Sequence, residues 1–168
     1  PTIEITEWPK EGNQRQYEVR PPELHTISWE RYHKLFTEAP GVDWAHAANT
    51  SDHPAVTYLL DRGFRPSTLE EWGIGYDLRT KRLTIPVVNE EGDLVGVKAR
   101  AWKAGAKPKY LILGDRPDKK KHYKFKHYEK SMVVFGIDKL VGHSAVFCEG
   151  ELDVMALSQI DIPAVCTG

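Results

Sequence analysis

The sequence predicts an α/β protein, with an α+β N-terminal part leading into a β-α-β unit. Three observations carry this prediction. Apolar residues recur at helical spacing in segments between residues 28 and 73. From Arg82 the period shortens to the alternation of strands, in "RLTIPVVNEEGDLVGVKARAW". The C-terminal stretch "SAVFCEGELDVMALSQIDIPAVC" then reads as strand, helix, strand.

The elements follow in chain order. Residues 1 to about 25 are polar and broken by Pro9, Gly12, Pro21 and Pro22, as an arm or loose hairpin would be. "SWERYHKLFTEA" offers Ser28 as cap and Trp29, Tyr32, Leu35 and Phe36 on one helical stripe. "SDHPAVTYLLDRGF" places Pro54 in a first turn and Gly63 at a stop. "RPSTLEEWGIGY" repeats the design with Ser67 as cap, Glu70 three residues on, and Gly73 at the end. The turn "NEEGD" joins two strands of a hairpin. In its second strand Val95, Val97 and Ala99 are expected on one face, Lys98 and Arg100 on the other. "KYLIL" is a further short strand, followed by the basic loop "GDRPDKKKHYKFKHYEK". "SMVVFGIDKLVG" is apolar and ends at Gly142, "SAVFC" reads as a buried strand, "ELDVMALSQI" as a helix, and "IPAVCTG" as the next strand. The two flanking strands should be parallel. No internal repeat is found.

Composition excludes several classes. The 168 residues are 40% hydrophobic and 28% charged, which is ordinary for a globular chain. No apolar run reaches the length of a membrane span, and "PTIEITEWPK" lacks the order of a signal peptide. Two cysteines, Cys148 and Cys166, make neither a disulfide framework nor a zinc pattern, so reduced thiols in the cytoplasm are the simplest reading. His122 and His127 have no further ligands around them in sequence, and no zinc is expected in this segment. The net charge of −1 hides a strong asymmetry: Lys98 to Lys130 holds 12 of the 23 Lys and Arg residues but 3 of the 24 Asp and Glu. Such a block is either a solvated loop or an anion-binding surface for nucleic acid. Tyr123, Phe125 and Tyr128, interleaved with it, suit packing on the adjacent sheet or stacking against single-stranded bases.

The chemistry concentrates at "CEGELD". A carboxylate, Glu149, closes the strand, Gly150 allows a close backbone approach, and Asp153 follows in the first helical turn. Ligands of β-α-β units gather where strands end and helices begin. The helix dipole alone would favour acids here, and for Glu151 that explanation suffices. For Glu149 with Asp153 a divalent-cation site is the sharper reading, since magnesium takes one or two carboxylates and fills its shell with water and phosphate oxygens.

"VVFCEGELDVMAL" resembles the first motif of the Toprim fold, an apolar strand followed by E-G-x-x-D. Upstream, "AVTYLLDRGFRPSTLEEWGIGYD", "KRLTIPVVNEEGDLVGVKAR" and "KPKYL" resemble the N-terminal part of the polymerase domain of DnaG-type bacterial and phage primases. The resemblance runs from about residue 45 to 168, and topoisomerases and OLD-type nucleases lack the upstream part. It implies that Glu149 is a cation ligand or general acid/base in nucleotidyl transfer and that Asp153 supports the cation. It implies a basic groove for template and nucleotide formed by Arg82, Lys98, Arg100, Lys109 and Lys130, although the glycine expected after Lys130 is Ser131. Without the resemblance, Arg82 could cap a strand, and Lys98 and Arg100 could form the wet face of a hairpin.

The implied division is an arm and helix over 1–44, a polymerase N-terminal subdomain with the basic groove over 45–142, and the start of a Toprim domain over 143–168. The implied enzyme makes short RNA primers on single-stranded DNA during replication, using Mg2+ or Mn2+, ribonucleoside triphosphates and a linked or separate replicative helicase. Residues 1–168 hold neither the zinc-module pattern nor the D-x-D pair that would complete the cation site, so the segment alone is expected to be inactive. Two other functions fit parts of the pattern: a non-catalytic nucleic-acid-binding or docking module with a vestigial Toprim motif, and a Toprim nuclease.

Overall fold

A computed structural model describes residues 25–38, 53–115, 122–128, 133–142 and 144–167. Helix α1 spans Trp29–Tyr32 and continues into a π-helical turn, His33–Thr37. Ser28 caps it, its hydroxyl accepting from the Arg31 N–H at 3.2 Å. Helices α2, Pro54–Asp61, and α3, Pro66–Glu71, each open on a proline, which has no N–H to leave unsatisfied there. The α3 start corrects the expected cap: Arg65 holds the N-cap position and Ser67 lies inside the helix. Proline's fixed φ sets the first turn one residue earlier, and Gln159 Oε1 accepts the Arg65 N–H at 2.6 Å. Gly73 ends the helix with φ +59°, a conformation that suits glycine.

Four antiparallel strands follow in simple order: β1 Gly75–Asp77, β2 Arg82–Val88, β3 Leu94–Arg100 and β4 Tyr110–Leu113. Strand β1 was not anticipated from the sequence. The β2–β3 pairing slips between Val87 and Val88, so that Val88 opposes Leu94 while Val87 opposes Gly96. This bulge corrects the expected alternation. Leu94 joins Val97 and Ala99 in one cluster, whereas Val95 packs with Val87, Tyr128 and Val133.

Apolar side chains cover both faces of the sheet. One face carries Tyr32 and Phe36 together with Tyr123 and Phe125 of the basic loop. Those loop aromatics and Tyr128 are buried, so they pack on the sheet instead of standing free for stacking. On the other face Leu83 and Ile85 meet α2, α3 and the β-α-β unit of β5 Val146–Phe147, α4 Glu151–Ser158 and β6 Ala164–Val165. Strands β5 and β6 are parallel, as expected. The expected burial of β5 is not found: Val146 is 46% and Phe147 67% exposed. Among the described residues β5 pairs with β6 alone, and Cys166, directly after β6, is bridged by Phe135.

Candidate nucleotide and cation site

The site forms where β3 crosses the N-terminal end of α4. Register places Leu83, Arg100 and Tyr110 in one row across β2, β3 and β4, and Ile85, Lys98 and Ile112 in the next. Side chains in register share a face, so Lys98 and Arg100 stand on the face that Leu83 and Ile85 turn toward α4. Both are buried, at 3% and 7% exposure, and neither forms a wet hairpin face. Across from them, Gly150 is extended at the helix N-cap, and its carbonyl accepts the Asp153 N–H at 3.1 Å.

A pocket of about 160 Å³ opens between these elements. Arg62, Arg100 and Lys109 form its basic wall, while Glu149, Gly150 and Asp153 form the acidic one. Glu149 and Asp153 are exposed; Glu151, between them, is 2% exposed and pairs with the Lys98 ammonium. Arg100 donates through Nη1 to the Tyr110 hydroxyl and through Nη2 to the Tyr58 hydroxyl at 3.3 Å, while its buried Nε has no partner among the described residues. Burial acts against the Arg100 charge, but the two tyrosine oxygens outweigh it and its pKa rises. Burial, and then the nearby Glu151 carboxylate, push the Tyr110 hydroxyl up to about 12. Tyr110 therefore stays protonated at neutral pH. Burial followed by Asp153 also raises the Cys148 thiol, which disfavours a reactive thiolate beside the acids. A cationic wall facing two free carboxylates can hold a polyphosphate with a divalent cation between its oxygens and the acids.

Comparison with known proteins narrows the reading. No family model matches the chain. Among curated proteins, DNA primase of Streptomyces coelicolor is 29% identical over 86% of this chain and 26% of its own length. DNA primase of Mycobacterium leprae is 31% identical over 60% of this chain and 16% of its own length. Among solved structures, a DnaG primase catalytic domain bound to single-stranded DNA superposes with a TM-score of 0.56 at 16% identity, covering 83% of this chain and 54% of that one. The RNA polymerase domain of Mycobacterium tuberculosis DnaG gives 0.56 at 23% identity, covering 83% and 57%.

The chain is similar in sequence to DNA primases and shares the fold of DnaG-type primase catalytic domains.

It spans about a quarter or less of these curated primases and a little over half of the solved catalytic domains. Within this primase fold, the pocket unites Glu149, Asp153, Lys98, Arg100 and Lys109 of the residues singled out from sequence. Lys98 turns its ammonium to Glu151 rather than to open space. Arg82 stands behind the wall, 8% exposed, and donates to the Lys109 carbonyl at 3.2 Å. Lys130 lies outside the described residues. Arg62, Tyr110 and the buried role of Glu151 were missed. Arg62 follows α2 as an unremarkable helix-end cation, and only the fold carries it beside residues far along the chain. Among the described residues no three His, Cys, Asp or Glu side chains cluster as a metal site. Glu149 and Asp153 still fit a magnesium ion, which needs only one or two carboxylates when water and phosphate complete its shell.

Proposed function

We propose that this chain is the N-terminal portion of a primase polymerase domain, working with template single-stranded DNA and ribonucleoside triphosphates. The observation that carries the reading is the single pocket in which Arg62, Arg100 and Lys109 face Glu149 and Asp153. A bound Mg2+ or Mn2+ would supply charge neutralisation at the triphosphate and a more acidic 3′ hydroxyl. Glu149 and Asp153 would hold that ion. Arg62 and Lys109, both exposed, meet phosphate oxygens at the mouth. Arg100 is fixed deeper by Tyr58 and Tyr110 and adds its positive charge to the wall. Phosphate contacts of this kind position a strand without reading its sequence.

Two carboxylates supply only part of what two-metal nucleotidyl transfer requires, so this reading calls for further acids beyond the described residues. The edge of β5 left without a partner among the described residues, with Val146 and Phe147 exposed, suits a neighbouring strand that would bring them. The division at 44 and 142, a cytoplasmic location and a replicative helicase partner belong to the same proposal. Among the described residues no helix is long and apolar enough to cross a membrane.

The test is primer synthesis. Residues 1–168 with template, Mg2+ and ribonucleotides should give no product. Combined with the downstream part of a primase catalytic domain, they should make short RNA that Glu149→Gln abolishes. Product from 1–168 alone, or full synthesis with Glu149→Gln, overturns the reading.

A further inference from the structure

A lysine in the middle of a central strand is unusual, because an ammonium is almost never buried without a partner. Lys98 occupies that position in β3, between Ile85 of β2 and Ile112 of β4. Its Nζ donates to Glu151 Oε1, with the two side chains 4% and 2% exposed. The pair crosses 53 residues of sequence and ties the sheet to the first turn of α4.

Three further facts connect this pair to the pocket. Glu149 and Asp153, two residues to either side of Glu151, are both exposed at the pocket, whereas Glu151 turns inward. The Glu151 carboxylate lies close enough to Tyr110 to help raise its pKa, and the Tyr110 hydroxyl accepts from Arg100. A Cβ on Gly150 would sit 3.9 Å from that hydroxyl and 3.8 Å from Asp153 Oδ2, so the turn lies against the same tyrosine. Two hydrogen-bonded groups therefore lie side by side under the acidic turn: Glu151 with Lys98, and Tyr110 and Tyr58 with Arg100.

We propose that Lys98 is a positioning residue: through Glu151 it fixes the acidic turn at a set height above the basic wall. Lys98 is then no phosphate contact, although it lies within the charged segment that suggested one. Glu151 is likewise removed from the cation's ligands, because Lys98 occupies it. Apolar packing could hold α4 on the sheet equally firmly, as clusters around Leu152 and Met155 do. Only a directional ion pair specifies where the two flanking carboxylates stand relative to Arg100. The consequence for ligand binding rests on the cation–phosphate reading of the pocket; the positioning itself does not.

The experiment replaces both partners, Lys98→Met with Glu151→Met, because removing a whole buried ion pair need not destabilise a fold. Amide exchange at Asp153 and Val154, whose N–H groups bond the Gly150 carbonyl, reports the turn directly. We expect exchange there at least tenfold faster, a melting temperature near that of the parent chain, and Mn2+–ATP affinity at least tenfold weaker. A folded double variant with unchanged exchange at both amides shows the pair to be mere packing and overturns the proposal. A parent chain that binds no Mn2+–ATP refutes the pocket reading instead, while the exchange result still decides the role of Lys98. If the double variant does not fold, Lys98→Gln with Glu151→Gln, which leaves no unpaired buried charge, takes its place with the same expectation for exchange.

Discussion

Gly96→Ala tests how the bulged hairpin is held. A Cβ at Gly96 would lie 2.1 Å from Tyr128 Cδ1 and 2.5 Å from both Cγ and Cε1. No real Cβ contact is that short, and Cγ can withdraw only if the Tyr128 backbone moves or a χ1 rotation swings the whole ring out of its site. The ring is 6% exposed and packs with Val87, Val95 and Val133, so it has no free space to enter. Overpacking of a tight core costs about 1–3 kcal/mol. Expelling the ring instead forfeits its burial, about 1.5–3 kcal/mol for a large side chain. Alanine recovers roughly 0.5–1 kcal/mol through its lower backbone entropy in a strand. The net loss should be about 1.5 kcal/mol, read as a lower urea midpoint with an unchanged slope. Gly92→Ala serves as the control. Nothing lies within 4 Å of its Cβ, but φ is +87°, so a loss of about 1 kcal/mol from backbone strain alone is expected. A Gly96→Ala protein within ~0.5 kcal/mol of the parent, an ordinary surface effect, would refute the packing of Tyr128 over the bulge.

Three further outcomes follow from the same geometry. The buried Tyr128 hydroxyl has no partner among the described residues, so Tyr128→Phe should leave stability unchanged or raise it by up to about 1 kcal/mol; a clear loss in the melt would reveal a bond to that oxygen. His53 Nδ1 accepts the Ala55 N–H at the start of α2, and burial lowers its pKa from the usual value. Its stabilising contribution is therefore complete above the unfolded value of about 6.5 and is lost as pH falls through the lower folded value. His53→Asn should flatten that part of the melting profile, and an unchanged profile would exclude the cap as its source. In single-stranded DNA binding, each phosphate neutralised adds about 0.7 to the log–log salt slope, so Arg62→Ala with Lys109→Ala should reduce it by about 1.4. A slope that survives the double change would move the DNA path elsewhere.

Much of this architecture was legible because local chemistry and tertiary structure agree. Pro54 and Gly63 bracket α2, and the alternation on either side of "NEEGD" gives the hairpin its strands. The opposite facing of Lys98 and Arg100 to Val97 and Ala99 also follows from the period of a strand. Where the reading failed, a longer-range term decided. Val95 left its expected face because a one-residue slip in pairing resets the alternation, and no residue type announces a bulge. Ser67 is a good cap by type, but Pro66 starts the helix first, and Gln159 satisfies the end from 94 residues away. The apolar run in β5 correctly marks a strand, yet periodicity cannot say whether another element covers it. At the site, "CEGELD" identified the acidic turn, while Glu151 looked like one more acid favoured by the helix dipole. Its inward orientation depends on Lys98, a residue visible only as part of a basic block. Arg62 carried no signal at all.

The central claim is that Glu149 and Asp153 hold a divalent cation against a triphosphate lodged on Arg62, Arg100 and Lys109. Water-proton relaxation by Mn2+–ATP, titrated with the protein, measures this directly, because slow tumbling of the bound ion enhances the effect. The account predicts enhancement with the parent chain and its loss in Glu149→Gln with Asp153→Asn, at unchanged melting temperature. Equal enhancement in the parent and the double variant would contradict it.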